Sequence, residues 1–207
     1  MKIIFISDTH GLHKQLKLPK GDVLIHGGDI TEFGKAEEVI DFLQWFEAQD
    51  FSYKIFIGGN HDIFLDEFPV EFLEMIPEEV TYLRHNSVDI EGIKIWGSPT
   101  TPDMLGWAFG KHRKDMHDHW RHMPKQMDIL LTHTPPMGIL DKSSKWQSLG
   151  CEALLRKVVE TKPKYHLFGH IHASYGEVEA DGIKYANGSN LDSLKGLVNP
   201  PIIIDYF

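Results

Sequence analysis

A single cysteine, Cys151, is all the thiol in this chain of 207 residues. It cannot close an internal disulfide, which sets aside the stapled secreted scaffolds and points to a reducing, cytoplasmic setting. Positive charge is also scarce, since 21 Lys and Arg against 30 Asp and Glu leave a formal net charge of −9. A long phosphate backbone recruits the opposite balance, so bulk nucleic acid is not the expected partner. Long apolar runs are missing as well. The hydrophobic stretches are strand-sized and broken by charge, short of the roughly 20 residues that a membrane-spanning helix needs. Residues 1–7 form such a stretch, but Asp8 ends it and no small-residue cleavage site follows, so it reads as a strand and not as a secretion signal. No repeat, low-complexity tract or linker divides the chain. With 42% hydrophobic residues, one core and one domain spanning 1–207 are expected.

Histidine is what the chain has in excess, with 13 copies, and many of them follow the ends of strand-like runs. Residues 53–57 are apolar and stop at Gly58-Gly59-Asn60-His61-Asp62. Residues 2–7 run into Asp8-Thr9-His10, and 22–26 into Gly27-Gly28-Asp29. Residues 128–132 end at His133, and 165–168 at Gly169-His170-Ile171-His172. Between these runs, Ala36, Val39, Ile40, Leu43 and Phe46 recur at steps of three and four, which predicts a helix over 35–49. Pro69 opens a second helix over 69–76, and Ala153, Leu154, Val158 and Val159 mark a third that Pro163 closes. Glu91-Gly92 and Asp181-Gly182 read as hairpin turns, with a last strand at 202–204. Residues 99–110 read as a loop and 111–123 as a polar helical stretch. Strands with crossover helices in each half predict an α/β fold of two sheets packed face to face with helices outside.

In open sheets of this kind the strand ends gather on one edge, where ligands bind. The fold should therefore collect Asp8, His10, Asp29, Asn60, His61, Asp62, His133, His170 and His172. As donors, this set mixes nitrogen and oxygen. It suits Mn²⁺, Fe, Zn²⁺ or Co²⁺ and is too rich in imidazole for a dedicated Mg²⁺ or Ca²⁺ site. His61 offers an imidazole, the side chain suited to moving protons, and the neighbouring Asp62 could hold and charge it. Other histidines read as structural: His26 satisfies a backbone group from within its strand, and His13, His85 and His166 pack. His112, His119 and His122 share a helical face that reads as a solvated or contact surface, with a second metal site as the rival reading. Trp107 and Phe109 either stack on a substrate base or pack their loop.

Asp8-x-His10, Gly28-Asp29, Gly59-Asn60-His61-Asp62, His133 and Gly169-His170-x-His172, in this order, resemble the signature of the calcineurin-like metallophosphoesterases. Leu131-Thr132-His133-Thr134-Pro135-Pro136, Phe168-Gly169-His170-Ile171-His172 and Asn199-Pro200-Pro201-Ile202 further resemble the metallophosphoesterase-domain-containing subgroup. The resemblance implies a four-layer α-β-β-α sandwich, two mixed sheets flanked by helices. It also implies two divalent metal ions, Mn first, with Fe, Zn, Co or Ni as alternatives. Asp8, His10 and His172 would bind one ion, Asn60, His133 and His170 the other, and Asp29 would bridge them. A shared hydroxide would then attack phosphorus, with His61 protonating the departing alkoxide and Asp62 orienting His61.

Protein phosphatases of this superfamily carry an arginine just before the glycine-asparagine-histidine motif; Gly58 and Gly59 stand there instead. That difference favours a diester, which carries one charge fewer than a monoester dianion. The expected function is a phosphodiesterase for small esters such as 2′,3′- or 3′,5′-cyclic nucleotides, with no long nucleic acid or membrane as partner. A broad phosphomonoesterase, a nuclease and a nucleotide-binding regulator are the alternatives. Oligomeric state is not legible from these residues.

Overall fold

The computed structural model describes residues 1–104 and 106–206. Leu105, in the loop expected over 99–110, lies outside the described residues. In chain order the strands are β1 (Lys2–Ile6), β2 (Val23–His26), β3 (Tyr53–Phe56), β4 (Val80–Tyr82), β5 (Asn86–Ile90), β6 (Ile93–Ser98), β7 (Thr101–Pro102), β8 (Gly110–Lys111), β9 (Ile129–Thr132), β10 (Tyr165–Phe168), β11 (Gly176–Ala180), β12 (Ile183–Asn187) and β13 (Ile202–Asp205). The helices are α1 (Ala36–Glu47), α2 (Ile63–Glu67), α3 (Pro69–Met75), α4 (Met116–Trp120) and α5 (Glu152–Thr161).

One sheet has the order β13-β1-β2-β3-β4 and is parallel except for β13 at one margin, and the other has the order β11-β12-β10-β9-β6-β5, parallel at its centre with antiparallel β11 and β5 at its margins. Both are mixed, as expected. Alternation along the strands sorts side chains between layers. On β1, Ile3 and Phe5 face inward with Ile25, Ile55, Ile95, Ile129, Leu131 and Leu167, filling the space between the sheets. Ile4 and Ile6 face outward and meet Val39, Phe42, Leu43 and Phe46 of α1 together with Leu65 and Phe72 of α2 and α3. On the opposite side Leu130, Phe168 and Tyr185 pack against Met116 and Trp120 of α4 and Leu154 and Val158 of α5. The result is the four-layer sandwich. Cys151 is buried at the N-cap of α5, where its Sγ accepts from the backbone N–H of Leu154.

The segment expected to be a polar helix over 111–123 is helical only in α4, after a single 3-10 turn at Arg113–Asp115. Tertiary bonds shape it. The Arg113 guanidinium binds the Asp103 carboxylate at 2.7 Å and the Gly150 carbonyl at 2.8 Å, and β7 pairs with β8. None of the helices in the described residues is long and apolar enough to cross a membrane.

Candidate metal centre

Parallel pairing brings the sequence motifs together. Strands β1, β2 and β3 run the same way, so their carboxyl ends finish on one edge, as do those of β9 and β10. Backbone bonds lace the loops beyond them: Asp8 N–H donates to Gly28 O (2.9 Å), His10 N–H to Asp29 O (3.1 Å) and Gly169 N–H to His133 O (3.1 Å). The two sheets are joined there as well, because the Asp8 carboxylate accepts the backbone N–H of His170 at 2.9 Å. Asp8, His10, Asp29 and His170 have φ of 53°, 43°, 55° and 67°. Non-glycine residues seldom adopt that left-handed region, and strain of about 1–3 kcal/mol each persists only where the surroundings impose it, commonly at functional sites.

Three groups of donors converge, one of them His10 with Glu32 and His61, and expected ligands make up the other two. Asp8, His10 and His172 form one and Asp29, His133 and His170 the other, with the ligand atoms of each group lying within 4.8 Å of one another. His10 Nε2 and His172 Nε2 face each other at 3.3 Å, and His172 Nε2 is 3.4 Å from Asp8 Oδ1. Asp29 Oδ2 lies between the groups, 3.6 Å from His10 Nε2 and 3.3 Å from His133 Nε2. Asn60 Oδ1 is 3.1 Å from His133 Nε2.

The outer ring nitrogens are anchored to carbonyls, His133 Nδ1 to Gly27 O at 2.9 Å and His172 Nδ1 to Asp192 O at 3.1 Å. A carbonyl only accepts, so each Nδ1 carries a proton and Nε2 is the ring atom turned into the cluster, with a lone pair to offer whenever the ring is neutral.

Burial disfavours charge on Asp8, but hydrogen bonding to His172 and the charges of His133 and His172 outweigh it and hold the carboxyl well below the usual range. Burial also opposes ionisation of Asp29, and His133 overcomes it by charge and hydrogen bond. His133 is itself pushed up to about 9, because Asp29 outweighs the burial that would lower it. His170 is pulled down to about 4 by burial and then by His133. Protein atoms alone thus crowd buried carboxylates and imidazole lone pairs together, and only protons on histidine balance them. Divalent cations balance the same donors directly, and the mixed nitrogen and oxygen set fits them.

His61 stands at the rim of this cluster, its ring 4.5 Å from that of His10 between centroids. Its backbone N–H donates to Asp29 Oδ1 at 2.8 Å. The expected pairing with Asp62 is not formed. Asp62 is fully buried, and its carboxylate accepts N–H bonds from Gly59 (2.7 Å), Thr31 (2.9 Å) and Ile30 (3.2 Å) and the Thr31 hydroxyl at 2.8 Å. Consecutive residues leaving this turn point apart, and three backbone donors claim the carboxylate.

Glu32, absent from the sequence-based set, takes the position expected of Asp62. Its carbonyl oxygen is 2.8 Å from His61 Nδ1 and its carboxylate Oε2 is 3.0 Å from His10 Nδ1. The segment is held in turn by Glu38, which accepts the N–H groups of Glu32 and Lys35, both at 3.0 Å, as α1 begins. Lys195 pairs with the outer oxygen of Glu32.

His13, His26 and His166 are buried, as expected, whereas His85, His112, His117 and His122 are exposed. His26 Nδ1 accepts the Gly28 N–H at 3.2 Å. His166 Nε2 is 2.8 Å from the Thr132 hydroxyl. His85, His119 and His122 line a cavity of about 280 Å³ with Trp96 and Lys111. No metal-sized group of donors forms there among the described residues.

The profile of the family described as calcineurin-like phosphoesterase matches residues 1–174. The chain belongs to that family. Metallophosphoesterase domain-containing protein 1 of Homo sapiens is 37% identical over 230 residues, covering 99% of this chain and 70% of that protein. A UPF0046 protein of Caenorhabditis elegans is 32% identical over 98% of this chain and 74% of its own length. The solved structure of TT1561 of Thermus thermophilus superposes with a TM-score of 0.62 at 12% identity, over 91% of this chain and 88% of that one, a likeness of fold alone. As a calcineurin-like phosphoesterase with clustered donors for metal, the chain is a metal-dependent phosphoric ester hydrolase.

Proposed function

We propose that the protein is a two-metal phosphodiesterase acting on small, nucleotide-type diesters. The observation that carries this reading is the double use of Asp29. One carboxylate oxygen lies between the two donor groups while the other accepts the N–H of His61. The residue that would bridge the two metals therefore also holds the backbone of His61, the proton donor in this reading. Asp8, His10 and His172 would hold one cation, and Asn60, His133 and His170 the other. Two divalent cations, Mn²⁺ the first candidate, would neutralise phosphoryl charge and acidify water at the centre. His61 then delivers its Nε2 proton to the leaving oxygen, while the Glu32 carbonyl keeps the proton on Nδ1 and the ring in place.

The preference for a diester rests on space. A Cβ on Gly59 would stand 2.3 Å from Asp29 Oδ1, and one on Gly58 would stand 2.6 Å from the Phe109 ring. No arginine fits at either position without displacing the site, so a phosphate dianion gains no guanidinium there.

The test is hydrolysis of a cyclic nucleotide diester, whose leaving group is an alkoxide, and of the matching nucleoside monophosphate by metal-stripped protein reconstituted with Mn²⁺, beside His61→Ala. Diester turnover that needs both metal and His61 supports the reading. Monoester preference replaces it with a phosphatase, and tight nucleotide binding without turnover replaces it with a regulator.

A further inference from the structure

The two aromatic residues of the loop after β7 are used differently. Phe109 is only 6% exposed, with its ring 5.0 Å from the Arg84 guanidinium carbon. Its apolar surface is spent on packing. Trp107 is 45% exposed, and its ring centroid lies 4.6 Å from that of His61 with the planes inclined by 50°. Backbone bonds fix it there. Trp107 N–H donates to Met104 O (3.1 Å) and Ala108 N–H to Asn60 O (3.1 Å), while Phe109 N–H donates to the Asp66 carboxylate at 2.9 Å. The indole is thus tied to the residue next to the proton donor, and the rings of His10, His61 and Trp107 lead outward from the donor cluster.

Position along this line has a chemical meaning. The group that receives the His61 proton is the leaving oxygen, so whatever that oxygen carries extends from His61 toward Trp107. A half-exposed indole offers a flat π-face whose best partner is another flat ring. On the far side of the cluster His170 and His172 border a cavity of about 260 Å³ that Ser143, Ser144 and Ser193 help to line, a setting for a sugar or a plain alcohol.

We propose that Trp107 is the stacking subsite for the leaving alcohol, so that the preferred substrates are esters whose leaving group carries a nucleobase or aryl ring. This inference rests on the diesterase reading of the same site. Trp107 contributes affinity by touching the substrate's ring and takes no part in proton transfer.

The experiment compares binding of adenosine 5′-monophosphate and ribose 5-phosphate to the Mn²⁺-loaded full chain, which differ only in the base. Wild type, Trp107→Phe and Trp107→Ala are followed by equilibrium dialysis and tryptophan fluorescence. Stacking predicts that wild type favours the base-bearing ligand by on the order of ten-fold, with quenching that Trp107→Ala abolishes. Trp107→Ala loses that preference while binding ribose 5-phosphate as wild type does, and Trp107→Phe keeps part of it. For a nucleoside aryl diester the loss in Trp107→Ala falls mainly on KM. Equal affinity for the two ligands in wild type, or a preference that survives Trp107→Ala, overturns the subsite even if diester turnover stands. A base preference lost in Trp107→Ala without any diester turnover keeps the subsite and removes the diesterase reading.

Discussion

The Nδ1 atom of His61 stands 2.8 Å from the carbonyl oxygen of Glu32, a residue 29 positions earlier in the chain. Since a carbonyl cannot donate, the ring proton that stays is on Nδ1 and the one that exchanges is on Nε2. A proton donor held this way matters most when the departing alkoxide is a poor leaving group. We expect His61→Ala to lower kcat by about 10²–10⁴ for alkyl diesters, and far less for p-nitrophenyl esters, whose phenolate leaves without help. Steady-state rates across leaving groups of graded pKa check this. An equal loss for all of them would mean that His61 serves binding instead.

Asp62→Ala is expected to behave as a folding variant. It would leave the buried N–H groups of Gly59, Ile30 and Thr31 without their acceptor, at about 1–3 kcal/mol each. Urea denaturation of the metal-free protein should show a loss of several kcal/mol, and His61→Ala should show almost none. If instead Asp62→Ala kept its stability and only shifted the pH profile of kcat, the residue would be acting through His61 after all.

Adjacency in sequence made Asp62 look like the partner of His61, and that is where sequence reading reached its limit. The clustering of the Asp, Asn and His motifs was legible because each follows a strand end by one to a few residues, and parallel pairing carries such ends to one edge. Helix α1 was legible because Val39, Leu43 and Phe46 repeat at helical steps and are buried together. Glu32 was not legible, because it works through its carbonyl direction and one long-range carboxylate contact, and no residue pattern records either. The stretch over 111–123 is helical over 113–120, and its ends were not legible for a related reason: Arg113 reaches Asp103 and Gly150, which no periodicity records.

Glu32→Gln separates two functions of one residue. The carbonyl that holds His61 survives the substitution, but the negative charge 3.0 Å from His10 Nδ1 is lost. Outer partners of this kind typically contribute ten- to hundred-fold to metal affinity. Chelator competition should show weaker metal binding of about that size, with kcat at saturating metal close to wild type. Lys195→Met makes the contrast, since its ion pair with Glu32 is half exposed and worth at most about 1 kcal/mol. Metal affinity unchanged in Glu32→Gln would show that the carboxylate does not act on His10.

His166 gives a pH prediction independent of the metals. It is fully buried in β10, and burial pulls its pKa down to about 3, whereas an unfolded histidine titrates near 6.5. Because the folded value is the lower one, the unfolded chain binds the extra proton between these limits, and stability falls as pH drops from about 6.5 toward 3. From pH 6.5 to pH 5 this single group should cost about 2 kcal/mol. Glutamine can keep a bond to the Thr132 hydroxyl and does not titrate, so His166→Gln should flatten that part of the acid limb in urea unfolding of metal-free protein. The slope will not vanish, because His26 is also buried and pulled down to about 3. An acid limb identical in wild type and His166→Gln would mean that the folded protein accommodates a proton on His166, which requires an acceptor for Nδ1 that the packing around β10 does not provide.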